Sequence, residues 1–249
     1  MRKLLRKRPS SALLPRGALL GIAACAFLSS PQARAGAAAP VHSDEPDFLN
    51  EMASGDTRKV AAWVMATADN RDSPFIIIDK VHAKVFVFDR GGVLLGAAPA
   101  LLGLAKGDKS PDGIGKRKLA TISPAERITP AGRFVAAIGE NLGGKDILWI
   151  DYEAAVSLHR VADAKPSERR LQRLATPAVS DNRISYGCIN VPAKFYEAVV
   201  SPLFRATAGI VYILPEKQSV DEVFFPRPEA AAVGTGANVP FGTPSFSAR

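Results

Sequence analysis

The sequence predicts a mostly β domain with peripheral α-helices, on three observations. Short runs of β-branched and aromatic residues recur between Phe75 and Leu214. Clusters of Gly, Pro and Asp separate them as turns. Helical periodicity is confined to a few stretches, so strands supply the framework and helices the covering. The 249 residues accommodate one ordinary domain plus tails, and no internal repeat or second domain is visible.

Residues 1–35 read as an export signal. A basic segment ends at Arg16, an apolar run covers Ala18 to Leu28, and Ala33-Arg34-Ala35 is a small-x-small cleavage site. The apolar run is too short to cross a bilayer comfortably as a permanent helix. The mature protein is therefore expected in the periplasm without a stable membrane span. Lipid attachment at Cys25 is the alternative, and the hydrophobic Ala26-Phe27-Leu28 that follow argue against it. The formal net charge of +8 belongs to this leader. Seven basic and no acidic residues precede residue 36; without them 25 basic residues face 24 acidic ones, a net charge of +1. That balance excludes a nucleic-acid partner.

Residues 36–74 are expected to form a linker and N-terminal helices. Gly36 to His42 is rich in Ala and Pro, and Ser43-Asp44-Glu45-Pro46 reads as a helix start. The helical pattern breaks at Ser54-Gly55 and resumes after Asp56, with Val60, Trp63, Val64 and Thr67 on one stripe. The period then becomes extended. Phe75–Asp79, Ala83–Asp89 and Val93–Leu95 are three strand candidates, the last two joined by the turn Arg90-Gly91-Gly92. His82 is expected at the start of the second, facing solvent. Gly103 to Pro130 reads as a long loop, and its Gly113-Ile114-Gly115-Lys116 lacks the spacing of a phosphate-binding loop.

Thr129-Pro130-Ala131-Gly132 makes a turn into the strand Arg133–Ile138. Asp146 to Val161 contains two extended pieces around Tyr152-Glu153. Lys165 to Leu174 reads as a short helix with a basic face, capped by Ser167. Ala193 to Val200 reads as a helix, and Ala208 to Leu214 as a buried closing strand. The folded domain is expected over residues 75–215. Residues 216–249 form a tail, Pro-, Ala- and Gly-rich and expected to be disordered.

Once the leader is removed, Cys188 is the one cysteine left, so no intramolecular disulfide forms in an oxidising compartment. It sits in Arg183-Ile184-Ser185-Tyr186-Gly187-Cys188-Ile189-Asn190-Val191, where the preceding glycine permits a tight turn. His159, the one histidine in the second half of the chain, lies upstream. A lone Cys with a distant His is the pattern of a thiol nucleophile and its base. A free thiol, with a pKa of roughly 8.5, is only a few per cent ionised at neutral pH. Each unit of depression needs about 1.4 kcal/mol of preference for the anion, which an imidazolium contact supplies. Backbone N–H groups around Tyr186, Gly187 and Cys188 are candidates to hold an oxyanion. The alternative for Cys188 is a small buried hydrophobe, and for His159 a satisfied core histidine.

Two segments carry a resemblance to a known family. Ser185, Gly187, Cys188, Ile189 and Asn190 fit Ser-x-Gly-Cys followed by a hydrophobic residue and Arg or Asn, and Thr129 to Phe134 reads Thr-Pro-x-Gly-x-Phe. Both resemble the L,D-transpeptidase (YkuD-like) catalytic domain, over about Phe75 to Leu214. The resemblance implies an L,D-transpeptidase-like β-sandwich and a cysteine acyltransferase acting on peptidoglycan stem peptides, with no cofactor or metal. In that family's terms Cys188 is the nucleophile and His159 the base. Ser185 orients the histidine or donor, and Asn190 braces the loop. Three features depart from the pattern. The interval from His159 to Ser185 is lengthened by the Lys165–Leu174 insertion, Arg160 replaces a small residue, and Tyr186 replaces the frequent His. The inserted arginines, with Arg160 and Arg183, are candidates to grip stem carboxylates; the alternative is a solvated basic face. A thiol-dependent peptidoglycan hydrolase and a non-catalytic wall-binding module are the competing functions.

Overall fold

The computed structural model describes residues 46–162 and 165–225. The export signal, the linker and residues 226–249 of the tail lie outside the described residues, as does most of the first helix start. The strands among the described residues are β1 (Phe75–Asp79), β2 (Lys84–Phe88), β3 (Leu94–Pro99), β4 (Leu102–Gly103), β5 (Gly132–Glu140), β6 (Asp146–Asp151), β7 (Val156–Arg160), β8 (Arg183–Ser185), β9 (Ile189–Val191) and β10 (Gly209–Ile213). The helices are α1 (Gly55–Thr67), α2 (Arg170–Ala175), α3 (Ala193–Phe195), α4 (Ser201–Ala206) and α5 (Val220–Phe224). Eight strands form one sheet in the order β3-β2-β1-β10-β5-β6-β7-β9, and β4 pairs with β8. The domain is mostly β, as its strand-rich pattern predicts.

The sheet halves share one core. Ile76, Val85 and Val211 from the β2-β1-β10 half pack in one cluster with Leu148, Leu158 and Ile189 from the β6-β7-β9 half. The sheet therefore folds over itself in the manner of a sandwich. Tyr196, Val200 and Phe204 enter the same cluster, from a helical run in which a π turn, Tyr196–Val200, joins α3 to α4. A second cluster covers the other face of the first half. There Phe75, Ile77, Phe86, Phe88 and Tyr212 meet Val60 and Val64 of α1 and Val220 and Phe224 of α5. β1 is buried on both faces, which explains its unbroken Phe-Ile-Ile-Ile run.

No helix forms between Pro46 and Ser54, contrary to the expected first helix. The segment runs irregularly instead, delivering Phe48 edge-on to Phe86 and Phe88 at centroid distances of 5.6 and 5.5 Å. Ser54 then caps α1 by accepting from Thr57 N at 3.1 Å, and it donates to the buried Asp79 at 2.6 Å. His82 donates its backbone N–H to the same carboxylate and stays largely exposed. The 165–174 segment also differs from expectation. Pro166–Glu168 is a 3₁₀ turn, Arg169 is left-handed (φ 48°), and α2 starts after it with no side-chain cap, so Ser167 caps nothing. Ser219 and Glu222 form a capping box on α5, which lies in the segment expected to be tail.

Among the described residues no helix is long and apolar enough to cross a membrane. No group of three or more His, Cys, Asp or Glu among them is placed to hold a metal.

Candidate active site

Register decides which side chains meet. In the β5-β6-β7-β9 half, Ala137 pairs with Trp149, Trp149 with Ser157, and His159 with Asn190. Directly paired residues share a face and alternate residues share it too. Ala137, Trp149, Ser157, His159 and Asn190 therefore lie on one face, and Cys188, two residues before Asn190, joins them. The opposite face carries Ala136, Leu148, Leu158 and Ile189, all fully buried in the core. One side of this half is structural and the other is chemical.

The backbone turn that presents Cys188 needs glycine. Gly187 has φ +133°, and a Cβ there would lie 2.8 Å from the carbonyl oxygen of Ile128. Three hydrogen bonds hold the turn. Ser185 Oγ donates to Cys188 O at 2.6 Å and accepts from Gly187 N at 3.1 Å, while Thr129 Oγ1 donates to Gly187 O at 2.8 Å. Thr129 Oγ1 also accepts from Gly103 N at 2.9 Å, so it ties β4, the Thr-Pro turn and the cysteine turn together. Lys80 anchors the same corner from below. Its buried ammonium donates to Thr129 O, Gly107 O and Asp108, near Glu216, which in turn pairs with Arg183.

The thiol is partly buried, with Ser157 Oγ and Ala155 O each 3.6 Å from its sulfur. Burial opposes its ionisation, yet hydrogen bonding and charge from the adjacent His159 ring prevail, with Ser157 helping. The thiol pKa is thus held below its ordinary value. The ring is affected reciprocally. Burial pushes His159 down, but the adjacent Cys188 sulfur with its thiolate charge and the Arg160 carbonyl leave its pKa raised, against an opposing push from Arg170. The two shifts favour a thiolate–imidazolium pair.

The imidazole is fixed at both nitrogens. Nδ1 lies 2.8 Å from Arg160 O, an acceptor only, so Nδ1 carries the hydrogen. Nε2 lies 3.1 Å from Asn190 Nδ2. The amide's orientation is set by Arg170, whose Nη1 donates to Asn190 Oδ1 at 2.7 Å. Beside the ring opens a cavity of about 540 Å³, whose walls include Lys145, Asp146, Ile147 and Arg160.

The residues singled out in the sequence thus divide. Cys188, His159 and Asn190 share the chemical face. Ser185 and Gly187 build the turn, and the Gly187 N–H, a candidate oxyanion donor, is occupied by Ser185. Tyr186 lies beneath the Arg127 guanidinium, 4.0 Å from the ring centre. Arg160 and Arg183 are not brought to the thiol. Alternation turns Arg160 to the face opposite His159, where it pairs with Asp146 and Glu197 over the Tyr196 ring. Arg183 is buried against Glu216 and donates to Lys80 O. Ser157 and Thr129 are site residues absent from the sequence-based candidates; the offset of two from His159 on a strand points to Ser157, and the Thr-Pro turn to Thr129. Arg170 is one of the inserted arginines expected to grip stem carboxylates, and the structure places it instead on Asn190, 20 residues along the chain.

No family model matches the chain, and no curated protein does. Among solved structures it is similar to the helical cell shape determining protein Pgp2 from Campylobacter jejuni, at 13% identity and a TM-score of 0.40, over 59% of this chain and 49% of that one. It is also similar to the L,D-transpeptidase LdtMt1 in complex with imipenem, at 16% identity and a TM-score of 0.33, over 57% of this chain and 59% of that one. An L,D-transpeptidase from Enterococcus faecium matches at 18% identity and a TM-score of 0.30, over 57% and 50%. The chain spans about half to three-fifths of the length of these structures. The solved structures it resembles are L,D-transpeptidases and a cell shape determining protein.

Proposed function

We propose that the protein is an exported cysteine acyltransferase, a peptidoglycan L,D-transpeptidase that works through a thioester on Cys188. The observation that carries this reading is geometric: a partly buried thiol at Cys188 on the same face of the sheet as His159, whose Nδ1 is held by Arg160 O. The cysteine and Thr-Pro segments, which resemble that family, supply the substrate class.

On this reading the Cys188 thiolate attacks the carbonyl carbon at the L-centre of diaminopimelate in a tetrapeptide stem. The oxyanion is held by the N–H groups of Tyr186 and Cys188, since that of Gly187 is occupied. The C–N bond to the terminal D-Ala breaks, His159 passes its proton to the leaving amine, and the acyl group remains on sulfur. The side-chain amine of a second stem then attacks the thioester and gives a proton to His159. The thiolate leaves, closing a 3→3 cross-link. Water in place of the amine gives hydrolysis.

The test is incubation of the protein with purified disaccharide-tetrapeptide, followed by mass spectrometry of products and protein. The expected result is release of D-Ala, a protein adduct at Cys188, and 3→3 dimers. Free trimmed stems without dimers would replace transfer by hydrolysis, and a Cys188→Ala protein with full activity would end the reading. A carbapenem is expected to acylate Cys188 at neutral pH and to leave Cys188→Ala unmodified.

A further inference from the structure

In the inserted segment between His159 and Ser185, Lys165 and Arg169 are exposed but Arg170 is not. Arg170, on the first turn of α2, points inward with 17% of its side chain exposed, and its Nε donates to Glu168 at 2.5 Å. Its Nη1 reaches Asn190 Oδ1, and the far end of that amide meets the catalytic ring. Guanidinium groups only donate, so the oxygen of Asn190 must face Arg170 and its NH₂ must face His159. An NH₂ group also only donates, so Nε2 must present a lone pair to it. With Nδ1–H bound to Arg160 O, both ring nitrogens are assigned.

We propose that Arg170 is a positioning residue: through the Asn190 amide it restricts the neutral form of His159 to the Nδ1–H tautomer. The proposal rests on the acyltransferase reading, in which the ring must be neutral when the incoming amine arrives. At that stage Cys188 is a neutral thioester and no longer attracts a proton to the ring. The guanidinium and the amide's NH₂ both disfavour imidazolium, so His159 stands ready as a base. In the free protein the thiolate pulls the other way, and Arg170 limits how far the ion pair forms. Among the described residues, Cys188 flanks the ring, Arg170 with Glu168 behind it stands beyond Asn190, and Lys145, Asp146 and Arg160 line the adjacent cavity. Asp146 is already paired with Arg160 and Arg205.

The experiment uses the full chain labelled with ¹⁵N at histidine and followed by long-range ¹H–¹⁵N correlation spectra across pH. His159 is identified by the signal lost in His159→Gln. The wild type is expected to show a protonated Nδ1 and a bare Nε2 in its neutral form. In Arg170→Met the His159 midpoint is expected to move up by roughly half a unit to one unit, as removal of a nearby like charge predicts, and the single-tautomer pattern is lost. Arg170→Lys, which keeps a donor and a charge, is expected to restore the wild-type pattern. A wild-type ring carrying its hydrogen on Nε2, or an Arg170→Met midpoint that stays or falls, overturns the proposal. Arg170→Leu, which likewise has no donor, is read the same way if the Met variant does not fold, and the wild-type tautomer tests the claim without any variant. Iodoacetamide labelling of Cys188 across pH separates the two readings. An ordinary thiol inflection in the wild type sinks the reactive pair and the proposal with it, whereas a lowered inflection with an unmoved Arg170→Met spectrum sinks only the role of Arg170.

Discussion

Thr129→Val removes one oxygen and changes almost nothing in volume, which makes it the sharpest probe of how the cysteine turn is held. The Thr129 side chain is fully buried, and its hydroxyl serves Gly103 N at 2.9 Å and Gly187 O at 2.8 Å. Both partners sit in buried backbone. Valine satisfies neither, leaving one N–H and one carbonyl without a protein partner. Orphaning a buried polar group costs about 1–3 kcal/mol, and the two share one hydroxyl, so the combined loss is about 2–4 kcal/mol. That range corresponds to roughly a 30- to 700-fold shift in the folding equilibrium. The assay is urea unfolding of wild type, Thr129→Val and Thr129→Ser, with Cys188 alkylation at neutral pH as a second readout. Serine keeps the hydroxyl and loses a methyl, so it should retain the alkylation rate and cost about 1 kcal/mol. Valine should lose both stability and alkylation rate as Gly187 drifts. A valine variant within about 0.5 kcal/mol of wild type, or a serine variant as damaged as valine, would refute the bracing role.

His159→Gln removes the ring that lowers the Cys188 pKa, leaving burial to push the thiol up. The thiolate exists above the thiol's pKa, so the alkylation inflection should move to higher pH, with roughly a tenfold slower reaction at neutral pH per unit moved. Gly187→Ala forces a Cβ to within 2.8 Å of Ile128 O at φ +133°. It should cost on the order of 1–3 kcal/mol, seen as a lower thermal midpoint together with slowed Cys188 alkylation. Glu216→Ala leaves the buried Arg183 without its carboxylate and Lys80 with one fewer neighbouring charge. A loss of about 3–5 kcal/mol is expected in urea unfolding, while exposed pairs such as Lys59–Asp221 should cost under about 1 kcal/mol.

Asp108 supplies the pH dependence of the same corner. Burial opposes its ionisation, but Lys80 and the backbone N–H groups of residues 216–218 hold its carboxyl below the usual range. A depressed carboxyl contributes stability above its unfolded pKa and loses it as pH falls through the folded value. Asp108→Asn should therefore flatten the acid limb of a stability–pH curve, below about pH 4.

Much of this architecture was legible where local pattern and tertiary environment agree. The Phe75–Asp79 run is buried on both faces and reads as a strand in any window. Gly187 announces a strained turn because no other residue tolerates its backbone. The chemical face was half legible, since period-two alternation links Ser157 to His159 and Cys188 to Asn190 but says nothing about which strands adjoin. Sequence pattern failed where long-range partners set the outcome. Arg160 and Arg183 look alike as free cations, and only the fold reveals Asp146, Glu197 and Glu216 beside them. The segment before Ser54 carries helix-start residues, yet one buried Phe48 outweighs its propensity.

β10 is the last strand in the chain but sits in the middle of the sheet, between β1 and β5. No other strand pairs with both, so although β4 and Leu101 already tie the first half to β8 and Asn190, the facing edges of β1 and β5 stay open until residues 209–213 have been made. A nascent chain holding everything up to α4 would present two half-sheets with raw inner edges, prone to pair with strangers. Assembly should be slow for a chain of this size because its decisive pairing spans well over a hundred positions.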